Sequence, residues 1–383
     1  MSNYHSIDGM SYALEKQKAR ARRSKRIVIA TIAGVLVLIA VGVTAGILVS
    51  KNNSKSSTTT GTKSNSKDPS NFTKDPRLHK SFYGLAYTPE GSLMPNCGNS
   101  LDHVIKDIQI ISQLTSRIRL YGADCNQTAL VLEAIKQTKV DVEVFLGNYV
   151  VATEPTAYER QRNTIKDAIL TYGTDHIAGI TVGNEFMLNY VTLKQSLDPN
   201  GPAGIEGAAI LKGDIDDTRN MLTSLNLKKN IPVGNSDAGS FFNKDILASI
   251  DYGMSNVHAW FANTTAEGAS AWVNEFFQES NLKPAAALPN QPKMYIAETG
   301  WPSASSDVAN ANNGGSDASI AGLQTFLDTF VCEANQNGIG YFYFEYRDEE
   351  WKDIQYGGVE GHWGLFNKDG TFKDITIPNC PAP

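Results

Sequence analysis

From about Lys80 onward the chain repeats one pattern: a short apolar run, a polar turn, then a longer segment with apolar residues at helical spacing. The short runs predict strands over Phe82–Tyr87, Ser116–Tyr121, Asp141–Leu146, Ile177–Val182, Ile231–Gly234, Asn256–Trp260, Met294–Ala297 and Gly340–Phe344. Most are β-branched or aromatic-rich without polar alternation, as strands covered on both faces tend to be. The longer segments predict helices over Leu101–Leu114, Thr128–Thr138, Glu159–Thr171, Ala208–Leu225, Thr265–Phe277 and Ile320–Asn335. Strands alternating with helices in this way favour an α/β fold whose parallel sheet closes into a single (β/α)8 TIM barrel. An open doubly wound sheet is the alternative. It is disfavoured because no GxGxxG or GxxxxGKS turn follows any of the strands. A barrel directs attention to the C-terminal ends of its strands, where such folds carry their chemistry.

The first 75 residues have a different character. Ile27–Val49 is a run of 23 residues without a charge. As a helix it would reach roughly 34 Å, enough to cross a hydrocarbon core of about 30 Å. Lys16, Lys18, Arg20, Arg22, Arg23, Lys25 and Arg26 precede it, whereas Lys51, Lys55, Lys63 and Lys67 follow more sparsely. The denser cluster predicts a cytoplasmic N-terminus and an external C-terminal part, a single-pass type II arrangement at the cell membrane. A cleaved signal peptide is the competing reading, but it would have an apolar core of only about 7–15 residues. Gly42 and Gly46 have the spacing of a helix-dimer contact, a weak signal among the small residues common in membrane spans. Residues 50–75 are mainly Ser, Thr, Asn and Lys, a composition that cannot bury a core and reads as a flexible, O-glycosylated stalk. The expected organisation is a basic tail (1–26), a membrane anchor (27–49), a linker (50–75) and a catalytic domain (76–383). Sequons stand at Asn52, Asn71, Asn126 and Asn263, on the side where glycosylation is possible.

Charge sharpens this division. The 383-residue chain has a net charge of −6, but residues 1–75 hold 12 Lys/Arg against 4 Asp/Glu. The remainder holds 22 against 36, a net −14 that makes nucleic acid a poor partner for the body. The four cysteines form no CxxC pair, so a zinc ribbon or thioredoxin-like site is not expected. In an oxidising compartment they would form disulfides, and proximity in sequence pairs Cys97 with Cys125 and Cys332 with Cys380. The six histidines include no HxH or HExxH arrangement, so no metal site is expected.

Two of the strand ends carry a glutamate. The fourth strand runs into Gly183-Asn184-Glu185-Phe186, and the seventh into Glu298-Thr299-Gly300-Trp301-Pro302. A carboxylate just past a buried strand is costly to desolvate without a partner or a task. Strands four and seven lie across a barrel mouth from one another, so both carboxyls can face one point. Glycosidic cleavage needs such a pair, one acid held protonated for the leaving oxygen and one ionised at the anomeric carbon. Unequal surroundings would split their pKa values and assign the roles. Asn184 is suited to hydrogen-bond the sugar's 2-hydroxyl. Tyr83, Tyr87, Tyr121, Trp260, Trp301 and Trp351 offer aromatic faces for stacking on sugar rings. His258 is expected to hydrogen-bond one of the acids, and Lys352 to keep neighbouring carboxylates ionised.

These residues resemble glycoside hydrolase family 17, the β-1,3-glucanases. The stretches VGNEF (182–186) and IAETGWPS (296–303) look like its acid/base and nucleophile motifs. FYGLAYTP (82–89), IRLYGADCNQ (118–127), NVHAWFA (256–262), FEYRDEEWK (344–352) and HWGLF (362–366) follow the family in order. The similarity is greatest to the fungal cell-wall branch, including its type II membrane members. It implies a retaining enzyme acting on β-1,3-glucan without a cofactor, with Glu298 as nucleophile and Glu185 as general acid/base. By the same resemblance Tyr121, Asp124, His258, Glu345, Asp348, Glu349 and Lys352 ring the cleft. Asp237 joins them in a stretch, NSDAGSFF, that lacks the tryptophans the family would place there.

Three activities fit these residues: an endo-β-1,3-glucanase in cell-wall turnover, a glucanosyltransferase using the same glycosyl-enzyme, and a non-catalytic surface glucan binder. The last would be marked by loss of a carboxylate, and both are present. Hydrolysis is the leading expectation.

Overall fold

The computed structural model describes residues 68–383. The basic tail, the 27–49 run, nearly all of the linker and Asn52 lie outside the described residues. Among the described residues no helix is long and apolar enough to cross a membrane.

Eight parallel strands close into a barrel in sequence order. They are β1 (Gly84–Ala86), β2 (Arg117–Arg119), β3 (Glu143–Asn148), β4 (Ile177–Asn184), β5 (Val233–Ala238), β6 (Tyr252–Asn256), β7 (Lys293–Thr299) and β8 (Tyr341–Tyr343). Pairing of β1 with β8 completes the ring. The helices begin where short polar side chains satisfy free amide donors. Ser100 accepts from the His103 amide at 3.4 Å, Thr265 from Gly268 at 3.2 Å and Ser319 from Gly322 at 3.0 Å. They start the helices Leu101–Ile111, Ala266–Phe277 and Ile320–Gln336, whose apolar faces cover the outside of the sheet.

Two strands differ most from the sequence reading. The sixth strand is Tyr252–Asn256 rather than Asn256–Trp260, and Ala259–Ala262 is a 3-10 turn beyond it. Its alternation is carried by Tyr252 and Met254, which fill the lumen, while Gly253 admits Met294 at a spacing no side chain would allow. The fifth strand continues through Asn235, Ser236 and Asp237 to Ala238. These polar residues stay in a buried strand because their side chains bond to neighbouring elements; the Asn235 side-chain amide donates to the Val182 carbonyl of β4 at 2.8 Å.

The lower lumen is closed by aromatic rings. Phe145 sits among Tyr252, Tyr295 and Phe342, with centroids 5.3, 5.8 and 5.4 Å away and edge-on geometry throughout. Tyr252 fits because two of its neighbours are glycines. A Cβ at Gly234 or Gly179 would stand 2.3 or 2.8 Å from its ring.

The two disulfides pair as proximity in sequence suggested. Cys97–Cys125 joins the loops after β1 and β2, and Cys332–Cys380 ties the last long helix to the C-terminal segment. Residues 68–75 and the final residues are fixed to the base of the barrel, below the strand N-termini. Gln109 Nε2 donates to the Pro69 carbonyl at 2.8 Å, and the Asp75 amide donates to Gln113 at 2.7 Å. Arg117 at the start of β2 donates to the Pro383 carbonyl at 3.1 Å. Asn71, Asn126 and Asn263 are all exposed.

Candidate active site

Above the aromatic floor the inward positions of the strands turn polar. Arg119, the last residue of β2, is 1% exposed and reaches across the lumen to three other strands. Its Nη1 donates to Glu298 Oε1 at 3.0 Å and to the Ala297 carbonyl at 3.3 Å. Its Nη2 donates to Asn184 Oδ1 at 2.8 Å and Ser236 Oγ at 3.0 Å. A buried guanidinium is costly unless its donors are matched in this way. It also lies over the Tyr121 ring, 4.3 Å from the centroid.

Glu298 near the end of β7 receives a second partner, His258 Nε2, at 3.1 Å from Oε2. Burial pushes this carboxyl up, but the bond to His258 and the charges of Arg119 and Lys352 outweigh it and hold it at about 2. Glu298 is therefore a carboxylate throughout the physiological range.

Glu185 is made differently. The chain leaves β4 through Gly183 at φ 84° and places Glu185 itself in the left-handed region at φ 53°. Asp237 of β5 secures this turn by accepting from the amides of Met187 and Leu188 at 2.8 and 3.2 Å, capping the helix Phe186–Leu193. The Glu185 side chain accepts from Asn256 Nδ2 at 3.0 Å, and Asn256 pairs in register with Glu298. One residue of β6 thus links the two acids. Burial, then the negative charge of Glu298, pushes Glu185 up to about 7, against the Asn256 hydrogen bond that pulls it down. One mouth therefore holds an ionised and a predominantly protonated carboxyl at mildly acidic pH.

The segment after β8 supplies the remaining charges. Lys352 Nζ bonds Glu345 Oε2 at 2.6 Å and lies 3.4 Å from Glu349 Oε1. Burial and the neighbouring Glu349 push Glu345 well above the usual carboxylate range. The Trp351 indole donates to Glu349.

The structure thus brings together Asn184, Glu185, His258, Glu298, Tyr121, Glu345, Glu349 and Lys352. Seven sequence expectations are corrected. Trp301 is 0% exposed, edge-on to Trp260 at 5.3 Å and stacked near Phe326, so its indole belongs to the core and offers no sugar platform. Tyr87 is also buried, its hydroxyl donating to Asp107 at 2.8 Å. Asp237 points into the turn after Glu185, with its carboxylate engaged by backbone amides rather than open to the mouth. Asp124 is held by Arg160 in a two-pronged ion pair at 2.7 and 2.8 Å. Asp348 is likewise engaged, by the buried Lys373 at 2.7 Å. Tyr83 packs against the rings of the lower lumen, and Trp260 is buried against Trp301, so neither offers a sugar platform.

Arg119, Asn256, Glu360 and Tyr149 escaped the sequence reading. Glu360 faces Lys352, His258 and Glu298, and burial raises its pKa. For Arg119 a signal existed: Arg117 and Arg119 alternate with Ile118, which puts both arginines on the lumen side of a strand. Asn256 and Glu360 carried no comparable signal.

A closed β/α barrel with two carboxyls of opposed ionisation at its mouth is the arrangement that glycoside hydrolysis uses. The family model of the BtgE/BtgC glycoside hydrolase domain matches residues 84–364. The chain belongs to this family, in keeping with the family 17 resemblance of its motifs. The probable glucan endo-1,3-β-glucosidase btgC of Aspergillus terreus is 34% identical over 322 residues, covering 80% of this chain and 47% of that protein. The glucan endo-1,3-β-glucosidase btgC of Emericella nidulans is 34% identical over 323 residues, covering 79% and 47%. The chain thus spans about half the length of the curated relatives it matches. The glycoside hydrolase family 17 β-1,3-glucanosyltransferase of Rhizomucor miehei superposes with a TM-score of 0.62 at 24% identity, covering 78% of this chain and 98% of that one. That likeness shows a shared barrel fold.

Proposed function

We propose that the protein is a retaining glycosidase that cleaves β-1,3-glucan internally, with Glu298 as nucleophile and Glu185 as acid/base. The opposed ionisation of the two carboxyls supports this reading above all. Glu298 attacks the anomeric carbon while Glu185 donates its proton to the glycosidic oxygen. The C–O bond to the leaving sugar breaks, and its oxygen keeps that proton.

The ester formed on Glu298 carries no charge. The repulsion that raised Glu185 disappears, its pKa falls, and the carboxylate left behind is ready to take a proton from water. That water attacks the same carbon from the face the leaving group vacated, the ester bond to Glu298 breaks and returns its carboxylate, and two inversions restore the β configuration. Arg119 holds Asn184 by its carbonyl oxygen, which turns the amide NH2 toward the sugar's 2-hydroxyl. A neutral polysaccharide suits a body with a net negative charge, and the glucanase names of the relatives support β-1,3-glucan as its class.

The test is Glu298→Ala supplied with azide. Turnover should fall by at least about four orders of magnitude, and azide should restore glycosyl transfer with an α-glycosyl azide as product. Wild-type activity in the variant, or a β-azide, would remove Glu298 as nucleophile.

A further inference from the structure

Lys373 belongs to no strand of the barrel, and between Phe372 and Asp374 it has the look of a surface lysine, yet it is 4% exposed. The chain beyond β8 explains how it is buried. It reverses at Asn367-Lys368-Asp369-Gly370, where Gly370 takes φ 81° and its amide donates to the Asn367 carbonyl at 2.9 Å. Phe366 and Phe372 pack across this turn, 5.1 Å between centroids, and the Lys373 amide donates to the Leu365 carbonyl at 3.3 Å. The returning strand thereby delivers the Lys373 side chain between the segment leaving β7 and the segment leaving β8.

Its ammonium bonds one residue from each. Nζ donates to Ser303 Oγ at 2.6 Å and to Asp348 Oδ1 at 2.7 Å. A buried cation is costly without acceptors placed in this way. Both acceptors in turn hold the short stretch His362-Trp363-Gly364. Ser303 donates to the His362 carbonyl from its amide and from its hydroxyl, each at 2.9 Å. Asp348 Oδ1 accepts from the Gly364 amide at 2.8 Å. Gly364 is required there, because a Cβ would stand 2.2 Å from the Asp348 amide nitrogen. Trp363 is therefore fixed at both of its chain neighbours.

The indole of Trp363 reaches the reactive centre through His258. Its ring lies edge-on to the imidazole at 4.9 Å, and Phe344 closes on the same imidazole at 5.3 Å. Gly300, two residues past Glu298, is pressed against both. A Cβ there would stand 2.1 Å from the Phe344 carbonyl oxygen and 3.6 Å from the Trp363 ring. The imidazole held by these rings is the one whose Nε2 lies 3.1 Å from Glu298 Oε2. An unbroken series of contacts thus runs from Lys373 to Glu298.

We propose that Lys373 is a positioning residue for Glu298: by bracing Ser303 and Asp348 it fixes Trp363, and through Trp363 the imidazole that bonds the carboxylate. The inference rests on Glu298 being the nucleophile. Besides His258, Glu298 is faced by Arg119 of β2, Tyr121 just after it, Tyr149 after β3, Glu185 after β4, and Lys352 and Glu360 after β8. Lys373 itself is faced by Asp348 and Glu345.

The experiment measures kcat, KM and the acid limb of kcat/KM on laminari-oligosaccharides for Lys373→Met in the full chain, alongside chemical unfolding. We expect kcat to fall roughly thirtyfold with KM changed by less than about twofold, the scale of a slightly misplaced reacting group. The acid limb should rise by about half a pH unit, because Glu298 loses part of the hydrogen bond that favours its charged form. Lys373→Arg should recover part of both effects. Ser303→Ala removes a single hydroxyl and should shift both in the same direction by less; it decides the matter if Lys373→Met does not fold. Lower stability with an unmoved kcat and acid limb, at temperatures where the variants stay folded, overturns the positioning role. The Glu298 carboxyl can also be titrated without substrate by its carbon-13 signal, identified by its loss in Glu298→Gln. That titration should move upward in both variants, and an unmoved one overturns the role. A wild-type enzyme inactive on β-1,3-glucan would instead sink the proposed function, and the titration would still decide what Lys373 does.

Discussion

The two halves of the barrel interior are built from the same inward-facing positions of the same strands, yet they solve opposite problems. In the lower half Phe145, Tyr252, Tyr295 and Phe342 interlock ring against ring, and the nearest cation, Lys293, lies over the Tyr295 face at 4.8 Å. In the upper half Arg119, Glu298 and Glu345 are as deeply buried, and each needs a specific partner. On β2 and β3 the change is immediate: Arg119 pairs in register with Phe145. The lower layer is stabilised by burying apolar surface and tolerates approximate chemistry. The upper layer gains little net stability, because desolvating its charges offsets most of their attraction. It yields instead two carboxyls fixed in different protonation states.

The comparison breaks first at Arg119. Arg119→Met removes the cation that keeps Glu298 low and orients Asn184. We expect kcat/KM to fall by roughly a thousandfold, the scale of losing a preorganised charge contact. The acid limb of the pH profile should move upward at the same time, because Glu298 loses a stabiliser of its charged form. Arg119→Lys should recover part of both effects. An acid limb that stays in place would reduce Arg119 to a packing residue.

The opposite signature belongs below. Phe145→Ala should cost about 3–5 kcal/mol of stability as a cavity opens among the rings. At temperatures where the variant stays folded, its kcat/KM should remain within a few-fold of wild type. Chemical unfolding and steady-state rates on the same preparation check this, and a large rate loss without a stability loss would erase the distinction between the layers.

The smallest effect sharpens the upper layer itself. Asn256 donates to Glu185 and so favours its charged form. Asn256→Ala should raise the Glu185 pKa above its value of about 7 and carry the basic limb of kcat/KM upward by less than about one pH unit. A downward shift would mean that the hydrogen bond runs to the protonated acid instead.

The apolar strands and amphipathic helices were legible in the sequence because their periodicity is local. Glu185 and Glu298 were legible because each follows a recognisable strand inside a distinctive motif. The second half of β5 was not, since Asn235, Ser236 and Asp237 look like a turn until their partners on β4 and the helix after it are known. Arg119 illustrates the same limit at longer range: the acceptors that make its burial tolerable lie 65, 117 and 179 residues away. Trp301 shows the converse. An indole beside a reactive carboxylate in sequence points away from it in space, because the chain turns outward after β7 and its side chain meets Trp260 and Phe326.

The stitching of residues 68–75 to the underside of the barrel has a consequence for presentation. Gln109 and Gln113 grip that segment at the pole where the strands begin, whereas Glu185 and Glu298 occupy the pole where they end. Residue 68 therefore lies at the pole opposite the two acids, and nothing in the 68–75 segment crosses the end of the barrel where Glu185 and Glu298 stand.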